Sequence, residues 1–182
     1  YICDTHNILL IADEIQCGAM RAGSWWNITS KNIIPDLMTF GKGIASGYPL
    51  AGVIGTSTIM NSLSSGNLGG TYGGNAICSA AASATIDILN NITLQNNINR
   101  FGAYIKDNLE NEVLIKEIRQ HGLMIAFEFT TSDTNPDITK YILEKLREQG
   151  ILVLFSGNRN QYIRILPCLT IEEEYVYIKL SD

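Results

Sequence analysis

The sharpest pattern in the chain is an apolar run, Ile8-Leu9-Leu10-Ile11-Ala12, that ends abruptly in two acids, Asp13 and Glu14. Branched residues without alternation predict a parallel strand covered on both faces. The acids then stand at its carboxyl end, the edge where open α/β sheets bind ligands. Gly18 and Gly23 mark a loop holding Trp25 and Trp26, and Pro35-Asp36 leads into a second strand, Leu37 to Phe40. A third strand is expected over 51–55, then a helix from Ser57 to about Leu63. After a glycine-dense stretch from Gly66 to Asn75, small residues predict a closely packing helix from Ala76 to Leu89. Ile98, Phe101, Ile105 and Leu109 form the inner stripe of another, from about Leu94 to Leu109.

The second half reads as a smaller α/β unit. Loose alternation over Leu123 to Thr130 predicts a strand, and Ser132 to Pro136 a turn. Asp137 is expected to cap a helix to Glu148, with Ile138, Ile142, Leu143 and Leu146 inward and Gly150 as its stop. Two more strands follow, over 151–155 and 161–166. Thr170 with Glu173 has the spacing of a capping box for a last helix, cut off at Asp182. The boundary between domains falls between the two long helices, which gives units of 1–92 and 93–182. No internal repeat or low-complexity segment interrupts them.

Composition narrows the class. The 182 residues are 46% hydrophobic and 17% charged, which fits a soluble globular protein with a sizeable core. A net charge of −5 without a basic cluster argues against a nucleic-acid partner. No apolar run approaches the roughly 18 to 20 residues that cross a bilayer, so no membrane partner is expected. Cys3, Cys17, Cys78 and Cys168 are scattered without CxxC spacing and read as reduced thiols. A cytoplasmic location follows as the expectation, with a mitochondrial origin left open. His6 and His121 have no ligand-like neighbours, so no metal is expected. The chain opens without methionine and runs at once into a strand, so it is expected to begin inside a domain.

Candidate chemistry starts at Lys42, in Thr39-Phe40-Gly41-Lys42-Gly43-Ile44. Glycine on both sides leaves room for a bulky group at its nitrogen. Burial would lower its pKa and free a nucleophilic amine for Schiff-base chemistry with an aldehyde cofactor. A lone lysine of this kind is more often a solvated loop charge, Asp13 as often a cap at a strand end, and Gln16 without Asp13 a surface amide. Thr71 sits in a glycine loop that lacks GxGxxG order, so no dinucleotide site is read there. Arg164, between Ile163 and Ile165, needs an anion if buried, either a bound carboxylate or an internal glutamate.

Five stretches in order carry a likeness: Leu10-Ile11-Ala12-Asp13-Glu14-Ile15-Gln16, Thr39 to Ile44, Tyr48-Pro49-Leu50-Ala51-Gly52, Gly69-Gly70-Thr71-Tyr72-Gly73-Gly74-Asn75 and Ile163-Arg164-Ile165-Leu166-Pro167. Together they resemble the class III, fold type I, pyridoxal-phosphate aminotransferases, and most of all the 4-aminobutyrate aminotransferases among them. The resemblance implies an α/β fold. Residues 1–92 would be the C-terminal part of the large cofactor-binding domain, mainly parallel sheet with helices, and 93–182 a small C-terminal α/β domain. It covers only the family's C-terminal half, so a fragment is expected, inactive by itself.

The resemblance also implies roles. Asp13 would salt-bridge the pyridine nitrogen of pyridoxal 5'-phosphate, Gln16 would bond its ring hydroxyl oxygen, and Lys42 would bond its aldehyde and shuttle a proton. Thr71 would reach the phosphate of a partner's cofactor, in a homodimer with shared active sites. Arg164 would take the substrate carboxylate. The implied reaction is transamination from 4-aminobutyrate or a similar ω-amino acid to a 2-oxo acid such as 2-oxoglutarate. Epimerase or aminomutase chemistry on the same machinery, and a non-catalytic remnant, are the alternatives. Two departures stand out. Met20 replaces a glycine of the family's loop within Gly18-Ala19-Met20-Arg21-Ala22-Gly23, with bulk expected to reshape the substrate mouth, and Ala76 replaces a proline.

Overall fold

The computed structural model describes residues 1–130 and 137–176. The chain divides into two compact units, Tyr1–Ile92 and Thr93–Asp182.

In the first unit, a short helix α1 (Ile2–His6) precedes a three-stranded sheet of β1 (Ile11–Asp13), β2 (Leu37–Phe40) and β3 (Gly52–Gly55) in that order. β1 and β2 are parallel, with Asp13 opposite Thr39, whereas β3 runs antiparallel to β2. The apolar run yields a strand of only three residues. Leu10 is diverted to the approaching turn: its N–H donates to Asp36 Oδ2 at 2.8 Å, and its carbonyl accepts from Asp36 N and Leu37 N. Cover on both faces is not found either, since Ile8, Leu9 and Ile11 are 55%, 57% and 58% exposed. Branched composition sets strand preference, but what lies across the sheet sets burial.

The helix expected from Ser57 is one turn, α2 (Ser57–Met60). The small-residue helix α3 (Ala76–Leu89) forms as expected, because Asn75 Oδ1 accepts from the N–H groups of Ile77 and Cys78. Cys78, Ala82, Thr85 and Leu89, spaced by four and three, form its buried stripe. The small size of Cys78, Ala82 and Thr85 lets α3 lie against the tight turn Lys42–Ala45, where Ser46 Oγ stands 3.0 Å from Thr85 Oγ1.

The second unit contains α4 (Ile92–Leu109), β4 (Ile115–His121), β5 (Met124–Phe129), α5 (Ile138–Glu148), β6 (Leu154–Ser156) and β7 (Tyr162–Ile165). The strands form an antiparallel sheet ordered β4-β5-β7-β6. Ile125, Phe127, Phe129 and Ile163 from the sheet, with Ile98, Phe101 and Ile105 from α4, make the core. Gly102 permits the close approach of α4, since a Cβ there would overlap the Gly122 carbonyl.

β4 was not expected, and the cause is visible. A register shift between Ile115 and Glu117 puts Ile115 opposite Phe129 and Ile118 opposite Phe127. The bulge turns a period of two into a spacing of three, which hides the strand from an alternation test. Asp137 stands at the N-cap of α5 but makes no side-chain capping bond. β6 starts at Leu154, because Ile151 N still closes onto Leu146 O at 2.8 Å. Helix does not start directly after Thr170 as the capping-box spacing predicts. A turn closes from Ile171 N to Cys168 O, and helix begins only at 173. The turn expected at 132–136 and the chain end at 182 lie outside the described residues. Among the described residues, no single helix is long and apolar enough to cross a membrane. Nor do any three or more His, Cys, Asp or Glu side chains among them group to hold a metal.

Candidate active site

The parallel pair delivers the first groups. Asp13 and Thr39 end adjacent strands side by side, and the Thr39 hydroxyl donates to Asp13 Oδ1 at 3.1 Å. Ile15 N donates to the same oxygen at 3.0 Å, so Asp13 does cap its turn with one oxygen. Its second oxygen takes no hydrogen bond among the described residues, and the residue is exposed. The turn closes from Gly18 N to Glu14 O at 2.9 Å and carries Gln16 toward the neighbouring strand. There Lys42 Nζ donates to Gln16 Oε1.

Lys42 is held unusually. Its φ of 47° is left-handed, a conformation that costs a non-glycine residue about 1–2 kcal/mol and tends to collect at functional positions. A Cβ on Gly41 would reach Ala51 Cβ at 3.4 Å, while one on Gly43 would meet nothing within 4 Å. The expected room therefore exists on one side only. The expected burial does not: Lys42 is exposed, and its amine is held in place by the bond it donates to Gln16.

Beneath this edge lies a residue that the motif reading passed over. Glu14 is 4% exposed, and its Oε1 accepts from Ile28 N at 2.6 Å. Oε2 is buried without a hydrogen-bond partner. The signal was available, because Ala12 and Glu14 continue one period-two face inward while Asp13 points out. The loop that Glu14 holds folds back tightly. A Cβ on Gly18 would strike the Trp26 ring at 2.6 Å, and Trp26 tilts against Phe40 with ring centres 6.2 Å apart. Burial pushes the Cys17 thiol above its ordinary pKa, and the negative charges of Glu14 and Asp13 push it further, with Lys42 pulling the other way. Acid and amine thus act on one thiol. Met20 does not project at an opening: it is 2% exposed, with a left-handed φ of 67°. The expected reshaping is instead backbone strain inside a packed loop.

Thr71 is not brought to this cluster by any hydrogen bond or ion pair. It is exposed on its glycine loop, where a Cβ at Gly66, Gly69, Gly70 or Gly74 would meet nothing within 4 Å. Arg164 belongs to the second unit, in β7, opposite Ala126 on one side and Leu154 on the other. Its Nε is buried without a hydrogen-bond partner, so the internal glutamate that might have satisfied it is not there among the described residues. Arg119 shares the row and is satisfied. It bonds Glu117 through two nitrogens at 2.9 and 2.8 Å and lies 5.0 Å from the Tyr162 ring. In the first unit, an unbonded carboxylate oxygen, an amide and a primary amine share one sheet edge. These are the groups that a protonated aromatic nitrogen, a phenolic oxygen and an aldehyde would take.

Known proteins share this arrangement of the chain. The model of the class-III aminotransferases matches residues 1–181. The chain is 40% identical over 183 residues to the 4-aminobutyrate aminotransferase GabT of Escherichia coli strain K12, covering 96% of this chain and 43% of that protein. It is 38% identical over 179 residues to the 5-aminovalerate aminotransferase DavT of Pseudomonas putida, covering 94% and 42%. The crystal structure of an ornithine aminotransferase from Toxoplasma gondii ME49 matches with a TM-score of 0.87 at 32% identity, over 99% of this chain and 43% of that one. A transaminase from the marine bacterium Virgibacillus matches with a TM-score of 0.90 at 28% identity, over 99% and 45%. The chain spans less than half the length of these relatives. Its α/β architecture is that of a partial fold type I domain, and the chain belongs to the class-III aminotransferases.

Proposed function

We propose that the polypeptide carrying this chain is a pyridoxal-phosphate-dependent aminotransferase, moving an amino group from 4-aminobutyrate or a similar ω-amino acid to a 2-oxo acid such as 2-oxoglutarate. The observation that supports this most is the bond joining Gln16 to Lys42, beside Asp13, at the carboxyl end of the parallel pair. When bound, the cofactor supplies an aldehyde for an amine and a ring that takes up the electron pair released at the substrate carbon. Asp13, through its unbonded oxygen, would hold the proton on the ring nitrogen. Gln16 would turn its amide to the ring hydroxyl oxygen. Lys42 Nζ would hold the aldehyde and, when free, move a proton at the substrate carbon.

Relatives named for 4-aminobutyrate, 5-aminovalerate and ornithine support the choice of donor, since each of those molecules carries a terminal amine several carbons from a carboxylate. The unpartnered Nε of Arg164 fits such a carboxylate. Thr71, exposed on its loop, would contact the phosphate of a second subunit's cofactor in a homodimer. On this reading Tyr1–Ile92 is the end of the large cofactor domain and the remainder the small domain. Four free cysteines fit a cytoplasmic location.

The test adds pyridoxal phosphate to the polypeptide, reduces with borohydride and maps the labelled peptide. Label on Lys42, with aldehyde released from 4-aminobutyrate beyond one equivalent of cofactor only when 2-oxoglutarate is present, is the expected result. An unlabelled Lys42 overturns the cofactor assignment, and label without that release overturns the donor.

A further inference from the structure

We infer that Glu14 is the positioning residue of this site: its buried carboxylate ties the loop ending at Ile28 beneath the strand end, and so fixes Asp13 and Gln16 for the cofactor. This rests on the pyridoxal-phosphate reading above. Three observations converge on Glu14. Burial of a carboxylate at 4% exposure is costly unless it is bonded, and its one bond, from Ile28 N at 2.6 Å, is of the short charge-assisted kind. Its backbone belongs to the site, with its N–H donating to Thr39 O at 3.0 Å and its carbonyl closing the Gly18 turn at 2.9 Å. The loop it restrains presses Trp26 over Gly18 and against Phe40, two residues before Lys42.

The consequence is mechanical. Residues 13, 14 and 16 occupy one turn, so a change in how the Glu14 side chain is seated moves the Asp13 carboxylate and the Gln16 amide together. Leaving Oε2 buried without a donor is costly, and that cost is borne in the turn that carries Asp13 and Gln16.

The experiment measures pyridoxal phosphate affinity, by the absorbance of bound cofactor, for the full polypeptide and for Glu14→Met, Glu14→Gln, Asp13→Ala and Glu14→Met combined with Asp13→Ala. Met keeps the length and removes the acceptor, whereas Gln keeps an oxygen for Ile28 N. Expected is about a tenfold loss for Glu14→Met, near-parental affinity for Glu14→Gln, and a smaller further loss from Glu14→Met once Asp13 is absent, because only the Gln16 amide is then left to be displaced. Full affinity in Glu14→Met overturns the inference. So does a loss in Glu14→Gln equal to that in Glu14→Met, or an undiminished effect in the Asp13→Ala background, which would mark general loosening. If Glu14→Met loses its near-ultraviolet dichroism, Ile28→Pro takes its place. Proline removes the donor at a φ of −62° that suits it, and unchanged affinity there overturns the inference equally. A parental polypeptide that binds no cofactor defeats the underlying assignment instead, so the two failures are distinct.

Discussion

The two units solve folding in opposite ways. The second closes an alternating antiparallel sheet over α4, with Phe101 and Ile163 essentially inaccessible. The first joins three short strands that leave Ile11, Val53 and Ile54 about half exposed, and spends its order on loops: Lys42, Met20 and Ala19 all adopt left-handed backbone. A unit that buries its side chains can be stable while carrying little chemistry on its strands. A unit that ends parallel strands in tightly bonded turns gains reactive groups at a sheet edge, at a cost in strain and cover.

Replacing Lys42 by Ala should break the contrast most plainly. The polypeptide should lose at least about a thousandfold in kcat, as removal of a proton-transferring group implies. Its melting temperature should hardly move, since the side chain is exposed. Unaltered turnover would place the chemistry elsewhere. The converse holds for Phe101→Ala, which should cost about 3–5 kcal/mol in urea unfolding by leaving a cavity against the sheet. Ile54→Ala, in a strand residue 49% exposed, should cost under about 1 kcal/mol. Equal costs at the two positions would mean that the units do not differ in how they are held.

Arg164 tests where the second unit departs from its own rule. Arg119, two strands away in the same row, bonds Glu117 through Nε and Nη2, whereas Arg164 keeps a buried Nε without a partner. Arg164→Lys retains the charge but loses the fork, so the KM for a carboxylate substrate should rise about 10- to 100-fold, the worth of charged hydrogen bonds at ~1.5–3 kcal/mol. Steady-state kinetics at saturating 2-oxo acid read this directly, and an unchanged KM would remove Arg164 from the binding role.

Local signals and long-range ones were legible to different degrees. β2 and α3 have the limits their sequence predicts, because a proline turn and an asparagine cap are chemically local. β4 was hidden by one inserted residue, which moved Ile115 and Ile118 onto the same face at the wrong period. In the site, the order of Asp13, Gln16 and Lys42 was readable from the motifs, but the exposure of Lys42 was not. Burial depends on what lies across a sheet, and no run of neighbours reports that. Glu14 is obscured for the opposite reason: Asp13 beside it has the ready chemical role, while the inward phase of the strand runs on from Ala12 to Glu14.

The narrowest balance of opposing effects is at Met20, where two terms compete. A left-handed φ of 67° costs a methionine about 1–2 kcal/mol that glycine would not bear. Against this, glycine adds about 0.5–1 kcal/mol of chain entropy to lose on folding, and the 2%-exposed methionine contributes about 1.5–3 kcal/mol by leaving water. Burial outweighs strain, so Met20→Gly should destabilise the first unit by about 1 kcal/mol, readable as a lower urea midpoint with unchanged slope. A raised midpoint would mean that strain dominates in this loop. The first unit would then be held near its site by less packing than the buried side chain indicates, and its difference from the second would be wider still.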